Sequence, residues 1–284
     1  MNATLMDGAA LAARIRAELR DEIAEIGEIG LATVLVGDDP ASQVYIRLKH
    51  KAADEVGIQA IDRRLPQDTA EDELLEVVGE LNDDDGVDGV LVQTPLPAQI
   101  DEARVMRTID PMKDVDGLHP FNAGQLYLGR QTFVGATPIG IMRLLAEYAI
   151  PVEGARAVVV GRSPIVGRPV AMLLLQANAT VTICHSRTDD LARQTLDADI
   201  LVAAVGRPHL ITTDMVKQGA TVIDVGITRT EAGLQGDVDP AVGEIAAFLT
   251  PVPGGVGPMT VALLLENAVR AARYRRGALA FPRV

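Results

Sequence analysis

The stretch Ala157-Val-Val-Val160, Gly161-Arg-Ser-Pro-Ile-Val-Gly167, Arg168-Pro169 decides the fold. Four apolar residues, three of them β-branched, form a strand that a glycine stops. Gly161 permits a tight turn, and Gly167 lets the start of the next helix pack close to the strand. Backbone N–H groups at that helix start are then free to face a pyrophosphate. The spacing departs from the standard dinucleotide fingerprint. Ser163 stands at the second glycine, and the last glycine comes six residues after the first, one more than usual. A strand–turn–helix that binds nothing is the plain alternative at this point.

Toward the C-terminus the pattern repeats. A helix over 167–177, a strand over 180–184, a helix over 189–196 and a strand over 200–205 are followed by a helical turn (214–218) and a strand (220–225). Such alternation predicts a parallel α/β sheet. The N-terminal half reads similarly. Helices are predicted over 6–27, 40–56, 70–82 (with Thr69 as N-cap) and 101–108, and strands over 31–36, 59–65 and 89–93. Residues 114–133 lack periodicity and read as a long functional connection, and 138–149 as a helix. Residues 236–249 are mixed. A glycine-rich loop over 251–258 precedes a helix over 261–276, for which Thr260 is a candidate cap. The expectation is α/β: two α/β domains, 1–140 and 141–260, the second a Rossmann-like dinucleotide-binding domain. Pattern alone assigns the final helix to neither.

A chain of 284 residues suits two domains and needs no disulfide staples. Acidic residues outnumber basic ones, 39 to 26, so the surface argues against general affinity for nucleic acid or anionic membrane. No apolar run approaches the length of a membrane span, and the first residues lack a secretory pattern. Cys184 is the one cysteine, which excludes Cys-x-x-Cys chemistry and fits a reducing compartment. The four histidines show no metal-ligand spacing.

The strand after the glycine turn ends in His185-Ser186-Arg187-Thr188. An NAD site would carry an acid here for the ribose hydroxyls. Instead Ser186 and Arg187 can donate to a 2′-phosphate, with Arg162 adding charge from the first turn, so the combination favours NADP. In the other half, Tyr45 and Lys49 are i and i+4 and share a helix face. A lysine whose pKa is lowered by burial moves protons near neutral pH. The competing reading is a helix surface with a solvated lysine. Gln93 ends an apolar strand, Asp114 and Asp116 share one loop, and the 251–260 loop permits close backbone approach to a ligand.

Taken together, Tyr45-x-x-x-Lys49, Val92-Gln93-x-Pro-Leu-Pro97, Lys113-Asp-Val-Asp116-Gly117, Thr137-Pro-x-Gly140, Gly161-Arg-Ser163-x-Ile-Val-Gly167-x-Pro169 and Pro251-Val-Pro-Gly-Gly-Val-Gly-Pro-Met-Thr260 resemble the bifunctional methylenetetrahydrofolate dehydrogenase/methenyltetrahydrofolate cyclohydrolase family. The resemblance spans nearly the whole chain. It implies oxidation of 5,10-methylenetetrahydrofolate by NADP+ and hydrolysis of the methenyl product to 10-formyltetrahydrofolate. It implies Lys49 as the central catalytic residue, Tyr45 stacked along the folate ring, Gln93 tuning Lys49, and Asp116 on the amino edge of the pterin. It implies Pro258 in the substrate cleft, and Gly161, Arg162, Ser163, Ser186 and Ile227 at the cofactor, beside the Arg187 read above. It further implies a cytoplasmic homodimer and a final helix, 261–284, that returns to the first domain. Ala136 stands where the family often has Cys, and Thr94 where Leu is usual. A monofunctional dehydrogenase of the same fold and an inactive folate- or nucleotide-binding homologue are the alternatives.

Overall fold

Parallel strands joined by crossover helices build most of the chain in the computed structural model, which describes residues 2–130, 132–231 and 233–282, the Ala41 side chain apart. In chain order, β1 (Thr4–Leu5) and α1 (Gly8–Ile26) precede β2 (Ile29–Val36), α2 (Pro40–Val56), β3 (Ile58–Leu65), α3 (Glu71–Asp83), β4 (Gly89–Val92) and α4 (Glu102–Thr108). Next come α5 (Pro120–Tyr127), α6 (Ala136–Glu147), β5 (Arg156–Val160), α7 (Gly167–Gln176), β6 (Thr180–Cys184), α8 (Leu191–Thr195) and β7 (Ile200–Ala203). The chain closes with β8 (Thr221–Asp224), β9 (Thr228–Thr230), β10 (Gly233–Gln235), β11 (Phe248–Leu249) and α9 (Val256–Arg275).

These elements form two compact units, one of residues 14–135 with 261–284, the other of residues 1–13 with 136–260. The first holds a parallel sheet in the order β3-β2-β4. Central β2 is buried at every position, as a strand covered on both faces must be. One face packs Val34, Val90 and Val92 against Leu74, Val78 and Leu81 of α3 and Val105 of α4. The end of α9 belongs to this unit. Arg275 Nη1 donates to Asp88 Oδ1 at 2.9 Å, Arg276 Nη2 reaches Asp88 Oδ2 at 3.4 Å, and the Gly30 N–H donates to the same carboxylate at 3.1 Å. Asp88 is buried and Arg275 half-buried, so the pair is only partly screened. Asp88→Ala is expected to cost about 3 kcal/mol of unfolding free energy, because it removes a buried carboxylate that accepts from Arg275, Arg276 and the Gly30 N–H. Urea unfolding followed by circular dichroism measures it.

The second unit carries six parallel strands in the order β1-β11-β8-β7-β5-β6. Chain order reverses on either side of β5, so the loops after β5 and β7 diverge there. This is where open α/β sheets bind ligands. The expected boundary at 1–140 needs correction at its start. Residues 1–13 belong with this sheet, because Thr4 and Leu5 pair with Phe248 and Leu249. A two-residue strand carries no period for a sequence reading to detect.

Three local expectations also differ from the structure. Thr69 does not cap α3. Its N-cap is Ala70, with no side-chain bond, and the buried Thr69 Oγ1 has no hydrogen-bond partner. Thr260 is no cap either: α9 starts at Val256, and Thr260 Oγ1 bonds the Val256 carbonyl and Thr137 Oγ1 inside the helix. The aperiodic 114–133 segment contains α5, begun by Pro120 at its first turn and by His119, whose ring accepts from the Phe121 N–H.

Candidate active site

In the three-stranded unit the site grows from the start of α2. Asp39 accepts from the Ser42 N–H at 2.7 Å and Pro40 stands in the first turn, so the helix begins sharply. Two turns in, Lys49 is half-buried and Tyr45, one turn earlier on the same face, is 42% exposed. Gln93 follows the last residue of β4, and its N–H donates to Val34 of β2 at 2.8 Å. Its side-chain amide donates to the Thr94 carbonyl at 2.9 Å, which turns Oε1 toward Lys49. Lys49 Nζ donates to that oxygen at 3.1 Å.

The loop after α4 supplies the opposite charge. In Lys113-Asp-Val-Asp116 the first two polar residues are consumed by the fold. Lys113 is buried, and its Nζ donates to the carbonyls of Leu81 and Asp84 at 2.9 and 2.8 Å, closing the end of α3. The Asp114 carboxylate accepts from the Leu118 and His119 N–H groups and from Asn122 Nδ2, at 3.2, 2.8 and 2.8 Å. Burial still pushes its pKa up to about 6. Asp116 is left facing Lys49 through charge. Burial lowers the pKa of Lys49 and raises that of Asp116, and each charge opposes the shift of the other. The outcome is an ammonium that gives up its proton more easily than a solvated lysine does.

The six-stranded unit carries a cleft of about 440 Å3 at the carboxyl ends of β5, β6 and β7. Gly161, Arg162, Ser186 and Arg207 line it together with the apolar Leu191 and Leu210. Gly161 has φ +127°, and a Cβ there would stand 2.2 Å from the Ala204 carbonyl oxygen, so no other residue fits. A Cβ on Gly167 would meet the Gly161 carbonyl at 2.3 Å, which is the close helix–strand approach expected of this turn. One expectation fails. The N–H groups of Val166 and Gly167 are not free to face a phosphate, because Ser163 Oγ accepts both, at 3.1 and 3.3 Å.

The structure brings Gly161, Arg162 and Ser186 to one cleft. Arg187 is exposed and does not line it; its N–H donates to His185 Nδ1 at 3.2 Å. Ile227 is 39% exposed, and Pro258 lies half-buried in the first turn of α9. Arg207 was not anticipated. The signal for it is position: it follows the end of β7, one of the two strands flanking β5. Its loop is held by buried Asp237, whose carboxylate accepts the N–H groups of Val205, Gly206 and Arg207 at 2.7, 3.1 and 2.6 Å. Asp224 in turn accepts from the Asp237 and Val238 N–H groups at 2.8 and 3.0 Å, and burial pushes its pKa up to about 6. Asp237→Asn sets an amide donor against three N–H donors. It is expected to weaken NADP+ and NAD+ alike by about tenfold, because each charge-assisted bond is worth about 1.5–3 kcal/mol. Equilibrium dialysis with both dinucleotides checks this.

Among the described residues no group of three or more His, Cys, Asp or Glu is placed to hold a metal, and no helix is long and apolar enough to cross a membrane.

Comparison with known proteins agrees with this geometry. Residues 6–116 match the tetrahydrofolate dehydrogenase/cyclohydrolase catalytic domain, and residues 135–276 the NAD(P)-binding domain of the same family. The bifunctional protein FolD of Moorella thermoacetica is 54% identical over 279 residues, covering 96% of this chain and all of that one. The crystal structure of the Campylobacter jejuni bifunctional enzyme FolD superimposes with a TM-score of 0.95 at 48% identity, covering 96% of this chain and 99% of the other. The Trypanosoma brucei methylenetetrahydrofolate dehydrogenase-cyclohydrolase, solved with NADP and an inhibitor, gives a TM-score of 0.93 at 39% identity, covering 99% of this chain and all of that one. Catalytic and nucleotide-binding regions both match over nearly their full length, and the chain belongs to the tetrahydrofolate dehydrogenase/cyclohydrolase family.

Proposed function

We propose that this chain oxidises 5,10-methylenetetrahydrofolate with NADP+ and hydrolyses the resulting methenyl cation to 10-formyltetrahydrofolate. The observation that carries the reading is the desolvated Lys49 ammonium held by Gln93 and opposed by Asp116. A dehydrogenase alone has little use for it, since hydride transfer mainly needs two carbons held close and aligned. Hydrolysis needs a group that handles protons at an attacking water and a leaving nitrogen.

The cleft suits a phosphorylated dinucleotide. It offers two guanidinium groups, a serine at the tip of β6 and no acid there, and Gly161 keeps the turn backbone on its lining free of a side chain. Arg162 and Ser186 would hold the 2′-phosphate and Gly161 would admit the pyrophosphate. Ser163 fixes the turn between them, Arg187 adds outer charge, and Ile227 approaches the nicotinamide. NADP+ held there would supply the acceptor for a hydride from the folate methylene carbon.

The residues of the three-stranded unit then act on the folate. Tyr45 presents its ring to the folate's aromatic face. Asp116 accepts from the pterin amino edge, which suits a half-buried carboxylate with oxygens to accept a donor pair. Pro258, in the other unit, is carried over as a substrate residue from the family motif 251–260. Neutral Lys49 takes the proton of the attacking water and returns it toward the leaving nitrogen, with Gln93 Oε1 fixing the direction of Nζ. We also place the protein in the cytoplasm as a homodimer. Edge strand β6 exposes Ile183, and neighbouring α7 exposes Leu175. Sedimentation equilibrium measures the state.

A coupled optical assay tests the activity. Supplied with 5,10-methylenetetrahydrofolate and NADP+, the protein should form reduced cofactor without lasting methenyl build-up. It should also hydrolyse added methenyltetrahydrofolate above the buffer rate. Persistent methenyl would leave a dehydrogenase only.

A further inference from the structure

Asp116 is a short side chain on a loop, so where it stands depends on the peptide that carries it. The peptide group leading into Asp116 includes the Val115 carbonyl. That carbonyl accepts from Nδ2 of Asn267, at 2.7 Å, and the second proton of the same amide goes to the Val134 carbonyl at 2.9 Å. Asn267 lies in α9, is 2% exposed, and sits 152 residues from Val115. One side-chain amide therefore ties the segments 115–117 and 133–134 to a helix and to each other. They are pressed close. Gly117 has φ +65°, and a Cβ on it would stand 2.8 Å from Val134 Cα and 2.9 Å from the Phe133 carbonyl oxygen. On the far side of Asp116 the loop is fixed through Asp114, and before it through the Val90 N–H, which donates to the Lys113 carbonyl at 2.7 Å. The peptide entering Asp116 has Asn267 as its side-chain anchor.

We infer that Asn267 is a positioning residue for folate binding, setting the place of Asp116 by fixing the Val115 carbonyl. The inference rests on Asp116 being the pterin contact. Leucine repeats the forked four-atom outline of asparagine with greater bulk and no polar atom; what asparagine adds is two protons aimed at two buried carbonyls.

The test is a double-mutant cycle on the full-length protein, read as KM and kcat for methenyltetrahydrofolate, with NADP+ affinity measured separately. Asn267→Leu should raise the folate KM about tenfold, the size of two lost neutral hydrogen bonds, with kcat within about twofold of wild type. NADP+ affinity should not change. Asn267→Ser, which keeps one donor, should fall between Leu and wild type, and it serves if the leucine variant does not fold. Asp116→Asn should also raise KM. Adding Asn267→Leu or Asn267→Ser to it should raise KM less than twofold further. Three results overturn the inference. A wild-type KM in folded Asn267 variants does so while leaving Asp116 as the pterin contact. Losses that multiply in the double mutant show that Asn267 acts on something other than Asp116. An unchanged KM in Asp116→Asn removes the pterin contact itself, and the positioning role with it.

Discussion

Lys49→Met is expected to lower cyclohydrolase turnover by about 10^3-fold, the usual yield of a positioned proton-transfer group, while methenyltetrahydrofolate still binds. Methionine keeps the length of the side chain and removes its proton and charge. Gln93 Oε1 loses its donor at the same time, so the variant removes the whole Lys49–Gln93 device. Stopped-flow hydrolysis of methenyltetrahydrofolate measures turnover, and fluorescence titration measures binding. Wild-type-like hydrolysis would sink the assignment. The wild-type pH profile supplies the complementary check. Burial lowers the pKa of Lys49, so the rising limb of kcat should lie below the ordinary lysine value of 10.5. The charge of Asp116 works in the opposite direction, favouring the protonated form. Replacing it by neutral asparagine removes that support, so at saturating substrate the limb of Asp116→Asn should move to lower pH. A limb that moves to higher pH, or does not move, would separate the limb from Lys49.

Arg162→Ala is expected to weaken NADP+ by about a hundredfold and NAD+ by less than threefold, since a paired guanidinium–phosphate contact is strong and NAD+ has no 2′-phosphate. The side chain lines the same cleft as Ser186, and no carboxylate lines that cleft to hold ribose hydroxyls instead. Arg187→Ala should change the ratio far less, because Arg187 does not line the cleft. Isothermal titration with both dinucleotides decides between the two arginines. Equal losses for NADP+ and NAD+ in Arg162→Ala would move the 2′-phosphate elsewhere, and Arg207 would be the next candidate.

The sequence disclosed what local period and punctuation can disclose. The run of three valines stopped by Gly161 marked β5 to its last residue, and Pro40 marked the start of α2. Tyr45 and Lys49 share a face because helical spacing leaves no other choice. What stayed hidden depends on contacts between distant residues. Thr69 and Thr260 look like caps, yet one sits a residue too early and the other lies inside α9. Ser163 looked like a missing glycine and is instead the acceptor for two N–H groups. Arg187 and Arg207 are indistinguishable as arginines, and only the sheet order sorts them. Asn267 reads as one polar residue in a helix until Val115 is brought against it.

The order of synthesis gives the return of α9 another meaning. Residues 14–135 leave the ribosome early, but their partners Asn267, Arg275 and Arg276 follow only after the whole of residues 136–260 has been made. Asp88 waits 187 residues for Arg275. The sheet β3-β2-β4 can pair while the chain is still growing, since its contacts are comparatively local. The peptide carrying Asp116 cannot be locked until α9 has been made. Nascent chains arrested before α9 should therefore be cut by protease near residues 85–88 and 115–117, and released chains should not. A truncated message would yield a product without a finished folate site, however well its first sheet had formed.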